Sequence, residues 1–222
     1  MEEPFMDLYK PIEEPRSKYF GKNYLAVYSR KLDRVVHFFS ILEYYNFLLL
    51  EMNHEVITFC EKPKQIEVLI DGKWKNVIFD MWVKYSDGTE EMQEIMYEHS
   101  KVNDMGKLPE SVIRKQNWCS ESSISFRIIT EKEILSNRLL ISNLERLAAK
   151  NRRYIPAGAE QYLSILNKEL QRYKTRTIKE LIRKQLLPPY EEYNYLAYLY
   201  YKGLINMNLE KRLLDYETEV WL

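Results

Sequence analysis

Two Asp-Gly pairs, Asp71-Gly72 and Asp87-Gly88, constrain this chain more than any other feature, because they bracket a run of strand-forming residues. Such a pair supplies the positive φ that a tight hairpin turn requires. The stretch from Trp74 to Tyr85 is therefore predicted to run back along Ile66–Ile70 on one side and to be followed by a returning strand, Met92–Tyr97, on the other. Before it, Ser40–Met52 places Ile41, Tyr45, Leu48, Leu49 and Met52 at helical spacing, and Ser40 with Glu43 has the form of a capping box. Val56–Phe59 is a further short strand, and residues 1–35, punctuated by Pro4, Pro11, Pro15 and Gly21, read as an irregular arm with one strand in KNYLAVYS. Ser111–Ser120 is expected to be helical and Ile124–Thr130 to be a buried strand. Helix, strands, helix and strand make an α/β domain over residues 1–135.

After Thr130 the texture changes. Asn143–Asn151, Ala159–Tyr173, Thr177–Gln185 and Glu191–Tyr201 each show helical spacing, Thr177 with Glu180 forms a second capping-box pattern, and Gly203 ends the last helix. The closing LINMNLEKRLLDYETEVWL reads as two strands with a polar turn near Glu210-Lys211. Three helices followed by a hairpin is the order of a winged-helix domain, expected over residues 136–222; a plain helical bundle with a terminal hairpin is the alternative.

No apolar run reaches the roughly 18–20 residues of a membrane span, and MEEPFMDLYK has no apolar stretch of a secretory signal. Two cysteines, Cys60 and Cys119, build no disulfide framework. A cytoplasmic setting and no membrane partner are expected. Net charge is zero, with 33 basic and 33 acidic residues, but the distribution is uneven. From Arg146 to Gln185 eleven basic residues meet only three acids, a net of +8 that leaves −8 for the remainder. Arg152, Arg153, Arg172, Lys174, Arg176, Arg183 and Lys184 are the candidates for contact with DNA or an acidic partner; solvated helix faces are the plainer account.

Phosphate-binding glycine loops, G-x-S-x-G and H-E-x-x-H are all missing from the sequence, and His37, His54 and His99 have no ligand spacing. The acids say more. Asp80 lies inside the apolar VIFDMWV, and Glu94 inside MQEIMY. A carboxylate there is costly unless it is paired or binds a cation. Side chains alternate along a strand, so an odd-length loop such as Ser86-Asp87-Gly88 puts Asp80 and Glu94 on one face, whereas a two-residue loop puts Gln93 there. The odd loop also leaves Val77, Phe79, Met81 and Val83 as one apolar face. Two oxygen ligands on adjacent strands suit Mg²⁺, with Mn²⁺ as a substitute. The competing account is a polar, solvent-facing side of an edge hairpin.

Three stretches resemble the TnsA endonuclease family, the nuclease subunit of a bacterial heteromeric transposase. They are RVVHFFSILEYYNFLLLEMNHEVITFCEKP, with its S-x-x-E helix start and E-x-P; FDMWVKYSDGTEEMQEIMYE, with its strand aspartate and D-G turn; and KQNWCSESSISFRIITEKEI, with its tryptophan helix and TEKEI. The resemblance covers about residues 34–135 and implies a restriction-endonuclease-like domain followed by a mostly α winged-helix-like one. It implies Mg²⁺-dependent cutting of DNA at the 5′ ends of a transposon, beside an integrase-type transposase subunit and an AAA+ ATPase regulator. By position, Glu43, Asp80 and Glu94 are the catalytic and metal-binding residues, with the main-chain carbonyl of Ile95 a further ligand; Glu43 serves the Ser40 cap equally well. The family's lysine falls at Met96. That departure points to a weakened subunit that mainly assembles its partners, unless another lysine, Lys84 or Lys101, takes the place. A winged-helix DNA-binding regulator is the remaining alternative.

Overall fold

The computed structural model describes residues 9–13, 23–101, 106–150 and 158–222. In chain order the elements are β1 (Leu25–Ser29), β2 (Arg34–Phe38), α1 (Ile41–Met52), β3 (Val56–Glu61), β4 (Gln65–Ile70), β5 (Lys73–Ile78), β6 (Met81–Tyr85), β7 (Glu90–Met96), α2 (Glu110–Glu121), β8 (Ser125–Thr130), α3 (Glu131–Ile134), α4 (Arg138–Lys150), α5 (Ala159–Tyr173), β9 (Arg176–Thr177), α6 (Ile178–Arg183), α7 (Glu192–Tyr201), β10 (Asn206–Met207) and β11 (Glu219–Trp221). The chain is thus mixed α/β, and it divides into two units, Met1–Phe47 with Glu55–Ser136, and Leu48–His54 with Asn137–Leu222. The C-terminal end of α1 belongs to the second unit, which no periodicity in the sequence announces.

The first unit is organised by a four-stranded sheet in the order β3-β6-β7-β8. The first three strands are antiparallel neighbours, and β8 runs parallel to β7 because α2 carries the chain back across. Both faces are covered. On one face the Asn46 side-chain amide of α1 donates to Gln93 Oε1 at 2.8 Å, and Phe47 meets Phe59 edge-on at 5.8 Å. On the other, Cys60, Trp82 and Met92 pack with Cys119 of α2 and with Ile66, Val68, Ile70 and Phe79. That double burial explains why β6 reads as a nearly continuous apolar run rather than an alternating one.

Two expectations need correction. The arm contains a two-stranded hairpin, β1 with β2, where a single strand was expected. Its turn carries no glycine; Asp33 takes the positive φ instead, at 49°. The expected strand Trp74–Tyr85 is broken at Phe79-Asp80: β5 pairs only with β4, while β6 belongs to the larger sheet.

In the second unit, α5, α6 and α7 are followed by β10 and β11, and β9 pairs with β11 to give the order β10-β11-β9. Thr177 and Glu180 form the full capping box at the start of α6. The helix expected to begin at Asn143 begins at Arg138, and the terminal strands are two and three residues long rather than a tight hairpin. The long connection between them is held chiefly by Asn143, with Asn137 bonding the Glu210 carbonyl at 3.0 Å. Asn143 donates its amide to the carbonyls of Leu209 and Arg212, each at 2.7 Å, and accepts from the Leu214 N–H at 2.8 Å. Among the described residues no helix is long and apolar enough to cross a membrane.

Asn143 is fully buried, so truncating it strands three main-chain groups. Asn143→Ala is expected to destabilise the second unit by about 2–4 kcal/mol, read as a lowered midpoint in urea unfolding.

Candidate active site

Asp80 owes its position to the break between β5 and β6. The Phe79 N–H donates to the Lys64 carbonyl at 3.0 Å, and the Asp80 carbonyl accepts from the Lys62 N–H at 2.9 Å. Phe79, with no exposed surface, anchors the corner in the apolar cluster under α2. Asp80 then stands at the mouth of β6 rather than in mid-strand, where its charge meets fewer apolar neighbours.

The turn that follows decides what Asp80 faces. The Tyr85 N–H donates to the Thr89 carbonyl at 2.9 Å, leaving the three-residue loop Ser86-Asp87-Gly88, with Gly88 at φ 86°. The Asp87 carboxylate accepts from the Thr89 N–H at 2.9 Å and from its hydroxyl at 2.7 Å, fixing the loop. The ladder pairs Lys84 with Glu90, Trp82 with Met92 and Met81 with Gln93. One step beyond the end of that ladder stand Asp80, in the bend before β6, and Glu94, which lies within β7 on the face of Met92 and is close enough to feel the charge of Asp80. Asp80 Oδ2 accepts from the Ile95 N–H at 2.8 Å, which ties the two strand ends together.

Glu94 is met by a residue that sequence reasoning passed over. Lys115 sits on the inner face of α2 with Val112 and Cys119, and only 5% of it is exposed. Its Nζ is 2.5 Å from Glu94 Oε2 and 5.6 Å from the centre of the Phe79 ring. Burial first, and then the charge of Asp80, raise the Glu94 carboxyl above the usual range; Lys115 and Lys62 pull the other way. Spacing puts Lys115 three residues after Val112 and four before Cys119, a position whose enclosure shows only once that face of the helix is known to be buried. Lys62, buried at the end of β3 with its ammonium 5.3 Å over Phe39, was passed over as the middle of E-x-P.

Glu43 performs its capping role and also belongs to this electrostatic group. Its N–H donates to Ser40 Oγ at 3.1 Å, and its Oε2 accepts from the Phe39 N–H at 3.1 Å, one residue short of the expected box. Burial raises its carboxyl, Asp80 raises it further, and Lys62 opposes both. Beside Lys62 lies a cleft of about 380 Å³ walled by Tyr24, Arg34, His37 and Phe39. Arg34 is held there by two bonds to Glu61, at 2.5 and 2.6 Å.

The donors suit a hard cation, since all are oxygens. Among the described residues no three His, Cys, Asp or Glu side chains converge as a ready cage. Mg²⁺ asks for less: one or two carboxylates, with waters and substrate oxygens completing the shell. The bonds to Ile95 and Lys115 each use one carboxylate oxygen of Asp80 and Glu94, so the pair fits such an ion. Met96 stands two residues beyond Glu94 and brings no charge. Lys84 pairs with Glu90 at 3.1 Å, at the turn end of β6 and away from Asp80. Among the described residues no side-chain contact places Lys101 at the site.

The basic candidates of the second unit divide. Arg152 and Arg153 lie outside the described residues. Arg176 is engaged within the fold: its guanidinium bonds Glu169 at 2.9 Å and stacks on Tyr173 at 3.7 Å. Lys184 shares Glu169 at 2.6 Å, and Arg172 lies 5.1 Å from the same ring. Lys174 and Arg183 are exposed at the ends of α5 and α6.

No protein-family model matches this chain, and no curated protein matches it.

A carboxyl raised in the folded chain contributes stability at low pH that is lost as pH rises through its folded pKa. For Glu43 and Glu94 that window opens above the ordinary glutamate range, at about pH 5. Without added metal, urea unfolding should show stability falling from about pH 5 to about pH 8, and Asp80→Asn, which removes the contribution second to burial at both groups, should make that fall shallower.

Proposed function

We propose that this chain is a TnsA-like endonuclease subunit of a heteromeric transposase, hydrolysing DNA phosphodiester bonds at the 5′ ends of the element. The observation that carries the reading is that Asp80 and Glu94 stand together just beyond the ladder of an odd-length hairpin, with Asp80 bonded to the Ile95 N–H at 2.8 Å and its charge acting on Glu94. Further support comes from where the three resembling stretches fall. The S-x-x-E start opens α1, the strand carboxylates lie at one end of the β6–β7 hairpin, the tryptophan helix is α2, and TEKEI closes β8 and forms α3.

Asp80 and Glu94 would hold a Mg²⁺ ion, with the Ile95 carbonyl as a third oxygen and Glu43 close enough to add negative charge. The ion, when bound, lowers the pKa of water and neutralises charge on the phosphate. The chain's own part is to hold the carboxylates in register and keep one side of the pair dry through α2. In the reaction the water oxygen bonds to phosphorus, the bond from phosphorus to a sugar oxygen breaks, and the water's proton ends on solvent or on the departing oxygen.

The order α5, β9, α6, α7, β10, β11 supports a winged-helix-like reading of the second unit. Glu192–Tyr201 contains no lysine or arginine, however, and its Tyr195, Leu196, Ala197 and Leu199 are buried. Cations at the ends of α5 and α6 are better placed than α7 for phosphates or for an acidic face of the transposase or its AAA+ regulator. This distribution disfavours a free-standing winged-helix regulator. Met96 favours a second reading, in which cutting is weakened and assembly is the main task.

A supercoiled-plasmid nicking assay with the cognate transposase and Mg²⁺ or Mn²⁺ tests the reading. Asp80→Ala should reduce nicking by at least ~10²-fold with an unchanged circular-dichroism spectrum, in line with removal of a metal-ion clamp; undiminished nicking would move the active site elsewhere. Reversing Lys174 and Arg183 to Glu should weaken DNA association about tenfold and lower its salt slope by about two, measured by fluorescence anisotropy across a salt series.

A further inference from the structure

Strand β7 brings a carboxylate to the site at Glu94 and then an uncharged thioether at Met96, on the same face by strand alternation. Helix α2 covers that face. From it Lys115 reaches Glu94 Oε2 at 2.5 Å, with its ammonium 5.6 Å over the Phe79 ring and Val112 and Cys119 buried on the same helix face. A lysine so enclosed is expensive to desolvate, and an apolar residue of similar volume would pack there at less cost. It is retained where its ammonium touches one half of the carboxylate pair. Lys84 bonds Glu90 at 3.1 Å at the far end of the hairpin, and Lys62, 5.3 Å over the Phe39 ring, acts on Glu43 and Glu94 through its charge, whereas Lys115 bonds Glu94 directly.

We propose that Lys115 supplies, from helix α2, the positive charge at the scissile phosphate that strand position 96 lacks. The inference rests on the nuclease reading above. As the bond from water oxygen to phosphorus forms and the bond to the sugar oxygen breaks, negative charge grows on the non-bridging phosphate oxygens. An ammonium already held at Glu94, beside the carboxylate pair, meets that charge with little reorganisation. Lys115 forms no covalent bond and gives up no proton in this step. The charge expected on the strand has moved to the helix across the same face, and the chain is a competent nuclease rather than a weakened one.

The test compares the full-length protein with Lys115→Met and with the double variant Lys115→Met/Met96→Lys. The readouts are plasmid nicking with the cognate transposase, Mn²⁺ affinity by electron paramagnetic resonance, and the urea midpoint. Lys115→Met should lose ~10²–10³-fold in nicking. Its Mn²⁺ affinity should stay the same or tighten, because a fixed cation beside Glu94 has been removed. The double variant should regain nicking to within about tenfold of the unmodified chain, since its lysine points to the same face. If Lys115→Met does not fold, the double variant carries the comparison, and its inactivity while folded and binding Mn²⁺ overturns the proposal. Asp80-dependent nicking undiminished in Lys115→Met, or lost in Lys62→Met instead, overturns this proposal alone. Absence of Asp80-dependent Mn²⁺ binding in the unmodified protein overturns the nuclease reading and this proposal together.

Discussion

The corner at Phe79-Asp80 governs the geometry of the first unit. Had β5 continued into β6, the β4–β5 hairpin and the central sheet would be one surface, and Asp80 would be a strand interior residue. Two main-chain bonds, Phe79 N–H to Lys64 and Lys62 N–H to Asp80, turn the chain out of one sheet and into the other. The turn buries Phe79 while leaving Asp80 at the edge. The same corner thus positions a core residue and a candidate ligand in consecutive places, so the site cannot be moved without reopening the core.

Around that corner the charges are arranged with little slack. Asp80 raises the carboxyls of both Glu43 and Glu94, and Lys62 opposes it at both. Lys115 compensates Glu94 alone. Such a group is held together by its surroundings rather than by its own attraction, since desolvation works against each charged member. The main-chain bonds to Phe39 and Ile95 matter here because they fix carboxylate oxygens without adding charge.

Much of this was legible in the residues, and the parts that were not have identifiable causes. Gly88 and the apolar alternation before it favoured a three-residue loop, and hence the facing of Asp80 and Glu94, because both depend on nearest neighbours along one hairpin. The break at Phe79 was hidden: Val77, Phe79, Met81 and Val83 alternate without interruption, and only the bonds from Lys62 and Lys64, residues distant in sequence, end the strand. Lys115 was hidden for a similar reason. Its partner lies 21 positions away on another element, and a lysine in a mostly polar helix draws no notice until its neighbours on the inner face are known. In the second unit the positions of α5 and α6 followed from spacing and caps. The long segment between β10 and β11 did not, because its shape is imposed by Asn143 from α4.

That anchor works through main-chain atoms only: the carbonyls of Leu209 and Arg212 and the amide of Leu214, joined by a bond from the Asn137 amide to the Glu210 carbonyl. Leu209 and Leu214 are buried, but Glu210, Lys211 and Leu213 between them are exposed. Their identities are therefore released from the task of shaping the segment. Here the chain has a tip whose exposed side chains can be exchanged at little cost to its backbone, because the bonds that shape it run to main-chain atoms.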